Sequence, residues 1–304
     1  MNLLFIFVDG VGLGPDNPET NPFARASMPA IKGLIDGAKL TIEHAPINSQ
    51  SATLLALDAS LQVAGLPQSA TGQAVLMTGR NIPAELGYHY GPKPNQAIAD
   101  IIESGNLIKT LRLANKKISF LNAYPPGYFD AIKSKRRLYA AIPLTLISSG
   151  LPLYTQTDLI NGMAVSADFT GAGWKNHLGI ENIPELTLFE AGCRIAKLAS
   201  EFDFTLFEYW LSDYAGHGRD MKIACKLLED FDTVIGGLLD NWNSKNSLIL
   251  ITSDHGNLED LSTRKHTENP VPALIIGSSH LRSKFTSGMK DLTDITPAII
   301  NFLS

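Results

Sequence analysis

Apolar residues are spaced in two ways along this chain. Leu3 to Val8, Phe204 to Trp210, Leu248 to Thr252 and Ala273 to Ile276 are nearly continuous apolar runs bounded by polar residues. Such runs predict strands buried on both faces of a sheet. Lys117 to Ala123 reads as a further strand. Elsewhere the apolar positions recur at helical spacing. Leu188, Ala191, Ile195 and Leu198 mark one helix face, and Ala224, Leu227, Leu228, Phe231, Ile235 and Leu238 mark a longer one. Shorter helices are predicted over Met28 to Ile35, Gln73 to Met77 with Gly79 as the stop, Ala97 to Ile102, Leu107 to Leu113 and Ile295 to Leu303. After Met28 to Ile35 a loop-rich section follows, through Leu66-Pro67-Gln68-Ser69, with no strand assigned in it. Strand and helix alternate, which predicts an α/β fold with a mostly parallel sheet sandwiched by helices. The alternation weakens between Pro125 and Gly179. That segment is the expected small inserted cap, with a core built from 1–124 and 180–304.

Composition narrows the class. The chain has 304 residues and a net charge of −5 with interspersed signs. Its length supports one large core with an addition. The charge balance gives no basic patch of the kind nucleic-acid binders carry. The one dense basic run, Lys133 to Arg137, is equally a solvated face. Cys193 and Cys225 follow no ligand or disulfide spacing and are expected to be buried, reduced thiols in helices. The apolar run at the N-terminus stops at Asp9 without a basic start, so it is not read as a signal peptide. No stretch has the length of a membrane span. The expectation is a cytoplasmic protein.

The chemistry gathers at strand ends. Leu248 to Thr252 runs into Asp254-His255-Gly256, and His266 follows eleven residues after His255. Leu3 to Val8 runs into Asp9-Gly10-Val11-Gly12, and Phe204 to Trp210 into Asp213 and His217. Ligands of open α/β sheets bind at this carboxyl edge. Carboxylates and imidazoles without thiolates suit zinc or manganese. Taken alone, Asp254-His255-Gly256 is equally a capping Asp beside surface histidines. Gly10-x-Gly12 is not a dinucleotide turn, because the third glycine position is Pro15 and Asp9 would repel a pyrophosphate. Ser69 stands at a helix start. It is either an N-cap or a nucleophile aided by the helix dipole and a metal. Together, Asp9, Asp213, His217, Asp254, His255 and His266 suffice for two metal ions, which in phosphoryl transfer clamp the attacking and leaving oxygens.

With these motifs in order, the sequence resembles the alkaline phosphatase superfamily, in the branch of cofactor-independent phosphoglycerate mutase and phosphopentomutase. The matching pieces are Asp9-Gly-x-Gly, Ser69-x-x-Gly72 with Arg80 beyond, Asp213-x-x-x-His217, Asp254-His255-Gly256 and His266-x-x-Asn-Pro-Val-Pro. The resemblance implies that Asp213, His217 and His266 hold one divalent ion. Asp9, Asp254 and His255 hold the other, with Ser69 as ligand and nucleophile. The metals it implies are manganese, zinc or magnesium. Thr71 is a rival nucleophile by chemistry, but Ser69 holds the matching place before Gly72. Arg80, Arg136 and Arg137 are candidate substrate contacts. The pattern departs at Gln73, where the mutases carry His, and the chain is shorter than either mutase.

Three functions follow as expectations. The first is a two-metal phosphoesterase that hydrolyses a small phosphorylated metabolite through a phosphoserine. The second is a phosphomutase acting on a sugar or glycerate at the same site. The third is a metal-binding protein without turnover. Hydrolysis ranks first here because the cap is small and a mutase must keep water out. Neither a nucleic acid nor a membrane is expected as partner, and the sequence leaves the oligomeric state open.

Overall fold

The computed structural model describes residues 1–304. Nine strands form: β1 (Asn2–Val8), β2 (Ile47–Asn48), β3 (Ala52–Leu57), β4 (Ile118–Phe120), β5 (Ala123–Tyr124), β6 (Tyr154–Thr155), β7 (Phe204–Tyr209), β8 (Ser247–Thr252) and β9 (Val271–Ile276). Seven make one sheet in the order β2-β3-β9-β8-β1-β7-β4. β1 lies at its heart, parallel to β7 and β8, and β4 is parallel to β7. β9 runs antiparallel between β8 and β3, so β3 returns to the common direction. The mostly parallel α/β sandwich expected from the sequence is the fold observed.

Alternation along β1 assigns the two apolar layers. Leu3, Phe5 and Phe7 face one layer, built with the helices Ser69–Thr78, Gln96–Ser104, Leu107–Leu113, Ala141–Ser148 and Ile295–Leu303. Leu4, Ile6 and Val8 face the other, built with Pro29–Leu34, Leu188–Ala199 and Met221–Asp240. The outer helices such as Leu188–Ala199 and Met221–Asp240 are amphipathic because only one stripe meets the sheet, whereas Ser69–Thr78 is buried on all sides. Within 125–179, the helix Ala141–Ser148 buries Ile142 and Leu146 in the first layer. β5, β6 and the helices Gln156–Ile160 and Ala172–Leu178 instead gather about a small cluster containing Leu159, Ala164 and Trp174.

Three expectations need correction. The loop-rich section 36–68 is not free of strands, for it contains β2 and β3. The run Ala52–Leu57 becomes a strand by pairing with β9, more than two hundred residues away. Lys117 to Ala123 is not one strand but β4 and β5. Asn122 breaks the run: its side-chain amide donates to the Glu208 carbonyl at 2.7 Å and accepts from the Glu208 N–H at 2.8 Å. A side chain there does the work of the ladder. The two free cysteines are half-buried rather than buried. No helix is long and apolar enough to cross a membrane.

Candidate metal centre

Each strand end delivers its carboxylate for a local reason. Asp9 follows β1, and Gly10 turns the chain with φ +68°, where a β-carbon would meet Asp213 Oδ1 at 2.6 Å. Only glycine fits that approach without strain. Asp213 and His217 follow β7 on the helix Leu211–Gly218, four residues apart and so on one face, with Nε2 to Oδ2 at 3.4 Å. Asp254 and His255 follow β8, and both are fully buried. His266 arrives on the loop before β9, its ring stacked on His255 with centroids 3.8 Å apart.

These groups converge. Ligand atoms of Asp213, His217 and His266 lie within 4.8 Å of one another, as do those of Asp9, Asp213 and His255. Asp254 Oδ2 is 3.6 Å from His255 Nε2. Asp213 therefore stands between the two groups, while Asp254 closes the second from behind. Each imidazole has Nδ1 against a backbone carbonyl: Arg264 for His217 (3.0 Å), Pro67 for His266 (2.8 Å) and Gly256 for His255 (3.3 Å). A carbonyl accepts only, so Nδ1 carries a proton in each ring, and Nε2 is the nitrogen turned to the carboxylates and able to bind a cation once unprotonated. Metal-binding histidines are commonly oriented this way.

The electrostatics point to cations. Burial, and then the charge of Asp254, pushes the Asp9 carboxyl up to about 8. Burial raises Asp254 as well. Burial also opposes a charge on His255, but Asp254, Asp9 and Asp213 overcome it and hold the imidazole up at about 10. His266 falls to about 4 through burial and the neighbouring His255. Asp9 Oδ1 and Asp254 Oδ2 are buried without a hydrogen-bond partner. Orphaned buried carboxylate oxygens facing imidazole Nε2 atoms, with His255 giving up its proton to an incoming cation, suit hard or borderline divalent ions, so this donor set fits the metals expected.

Ser69 is the first residue of its helix, and Gln68 takes the capping place without a side-chain bond. The Ser69 hydroxyl is not spent on capping. It lies 3.0 Å from His255 Nε2. Thr71 points elsewhere, its hydroxyl donating to the Gln68 carbonyl at 3.0 Å. Gly72 lets the helix press on Asp254, whose carbonyl oxygen a β-carbon would meet at 2.7 Å. Gln73 donates to Asp9 at 3.4 Å.

Of the three arginines, Arg80 and Arg136 are not brought to the centre. Arg80 lies beyond the far end of the helix, about 15 Å from Ser69 at 1.5 Å per residue, where it pairs with Glu85. Arg136 is exposed and donates to Ser134 at 2.9 Å. Arg137 stacks over Tyr128, 4.9 Å from its ring centre. Sequence reasoning missed two organisers. Asn257 donates to Asp213 Oδ1 at 2.7 Å. Glu259, fully buried, accepts from the backbone of Gly12 and Asn257 at 2.8 Å each and from Asn269 at 3.0 Å, tying three loops together. A carboxylate four residues after His255, beside apolar Leu258, was the available signal for Glu259.

A family profile described as "Metalloenzyme superfamily" matches residues 154–304. The chain is 33% identical over 129 residues to a 2,3-bisphosphoglycerate-independent phosphoglycerate mutase of Clostridioides difficile (strain 630), covering 40% of this chain and 25% of that protein. The match thus spans about a quarter of that relative's length. Among solved structures, a protein from Pyrococcus horikoshii superposes with TM-score 0.59 at 16% identity, covering 99% of this chain and 96% of that one. The alkaline phosphatase from the Antarctic bacterium TAB5 gives TM-score 0.54 at 12% identity, covering 99% and 97%. At these identities the two structures establish the fold alone.

Proposed function

Because the chain belongs to the alkaline phosphatase superfamily of metalloenzymes, we propose that it transfers a phosphoryl group through Ser69 on a small phosphorylated metabolite. The observation that carries this reading is the uncapped Ser69 hydroxyl, 3.0 Å from His255 Nε2 at a helix N-terminus. Asp213, His217 and His266 would hold one divalent ion, and Asp9, Asp254, His255 and Ser69 the other. Two such ions supply charge stabilisation to attacking and leaving oxygens. The Ser69 oxygen forms a bond to phosphorus as the ester oxygen leaves, and the serine proton passes to the departing alcohol. The helix dipole favours negative charge on the serine oxygen.

The second half-reaction decides the name of the activity. Sequence reasoning ranked hydrolysis first. The resemblance to a phosphoglycerate mutase shifts the weight to return of the phosphoryl group to another hydroxyl of the substrate, a phosphomutase. Hydrolysis stays as the second reading because His217, whose side chain is 44% exposed, leaves that end of the centre open to water. The test loads the protein with manganese or zinc, supplies phosphorylated sugars and glycerates, and follows isomer and free phosphate together. Trapping followed by peptide mass spectrometry should place phosphate on Ser69. Full activity in Ser69→Ala would end the proposal. Phosphate released in step with substrate loss would make hydrolysis the activity.

A further inference from the structure

Beside the metal centre lies a carboxylate that the proposed reaction does not use. Glu208 is the one charged residue of β7, and it is 4% exposed. In the parallel register it pairs with Phe7, so its side chain shares a sheet face with Phe7 and Asp9. Strands about 4.8 Å apart and a two-residue rise of about 6.6 Å place its Cα roughly 8 Å from that of Asp9. Its single side-chain hydrogen bond comes from the Tyr124 hydroxyl, to Oε2 at 3.3 Å. Oε1 accepts nothing within the chain, and no cation reaches ion-pair distance of the carboxylate. A buried carboxylate with one neutral donor is costly, which argues for a use beyond packing.

Aromatic rings and two cations surround Glu208. Tyr124 stacks between Tyr128, with centroids 4.4 Å apart, and Trp210, at 6.3 Å. Lys93 and Arg137 are the cations whose fields reach Glu208. Lys93 is half-buried and carries no hydrogen bond or ion pair. It sits two residues after Gly91, where a β-carbon would lie 3.3 Å from the Ser69 nitrogen. A hydrogen-bond acceptor, aromatic rings and two cations thus gather on the Asp9 side of the centre.

We propose that Glu208 determines substrate specificity by accepting a hydrogen bond from a hydroxyl group on the organic portion of the phosphoester. The substrate class is then a phosphorylated polyol or sugar. The aromatic rings cover its carbon face, and Lys93 and Arg137 balance the combined charge of phosphate and Glu208. Above about pH 8, where Glu208 is ionised, a substrate carboxylate at the place of that hydroxyl would face it with like charge, so phosphoglycerates are disfavoured there. This inference rests on the phosphoryl-transfer reading of the same site.

The test compares the wild-type metalloenzyme with Glu208→Gln at pH 9, where Glu208 is ionised, on three probes: ribose 5-phosphate, 3-phosphoglycerate and p-nitrophenyl phosphate, which has no hydroxyl. Wild type should prefer the sugar phosphate to the glycerate. Exchanging a charged acceptor for a neutral amide oxygen predicts that the variant's kcat/KM falls about 10-fold further on ribose 5-phosphate than on p-nitrophenyl phosphate. Metal content and Tm of the variant establish that it is folded and loaded. Equal losses on both probes, or no loss on either, would overturn the role of Glu208 while leaving phosphoryl transfer intact. A loaded wild-type protein silent on all three probes would remove the transfer reading, and this inference with it.

Discussion

Replacing Glu208 by Gln should make the metal-free protein more stable, by an amount that grows with pH. Burial, and then the charge of Asp9, pushes the Glu208 carboxyl up to about 8 from an ordinary value of 4.5. Below pH 4.5 the group is protonated in both folded and unfolded chains and costs nothing. Between 4.5 and about 8 the unfolded chain releases the proton and the folded chain keeps it. Stability therefore falls as pH rises, by about 1.4 kcal/mol per pH unit, and levels off above the folded value. Over the full window the loss is on the order of 5 kcal/mol, a large part of the stability of an ordinary domain. Gln keeps the shape and the acceptor for Tyr124 but does not titrate. The assay is urea unfolding of chelated wild type and Glu208→Gln from pH 5 to 9, at one ionic strength. The expected result is a stability difference near zero at pH 5 that widens in favour of the variant up to about pH 8. A constant difference would refute the buried, unpaired carboxylate. A difference that widened in favour of wild type would mean that Lys93 or Arg137 holds Glu208 as an ion pair.

Two further outcomes probe the centre from other sides. Gly72→Ala would normally gain about 1 kcal/mol of helix propensity. Here its methyl group meets the Asp254 carbonyl oxygen at 2.7 Å and Cβ at 2.8 Å, so overpacking should cost about 1–3 kcal/mol, and elemental analysis should find fewer than the two ions per chain expected of wild type. Arg80→Ala and Arg136→Ala should each leave kcat/KM within about twofold, since exposed ion pairs and surface contacts contribute little; a tenfold loss in either would bring that residue back to the site.

The regular elements of this chain were legible because their periodicity is local. Leu3 to Val8 and Leu248 to Thr252 could only be strands covered on both faces, and Met221–Asp240 carries its stripe in its own spacing. β3 was not legible. Ala52–Leu57 follows a polar, turn-rich section, and its partner β9 begins at Val271. Asn122 shows the same limit, since its break in the strand depends on backbone groups of Glu208.

At the centre, residue type and position relative to strand ends were enough to name the carboxylates and imidazoles before any coordinates. A parallel sheet sends every carboxyl end to one edge, so three Asp-bearing strand ends must meet. Whether Ser69 caps its helix or faces His255 was undecided in one dimension, because both readings put Ser at a helix start. Only the packing of the helix through Gly72 onto Asp254 aims the hydroxyl at the centre. Arg80 looked like part of a motif, yet one helix length carries it about 15 Å away. Glu208, Lys93, Asn257 and Glu259 reach the site from positions that no local pattern marks. The sequence alone determined most strands and helices and the polar residue types at the strand ends. The tertiary structure decided which polar groups share a buried space, because that depends on register and layer packing across hundreds of residues.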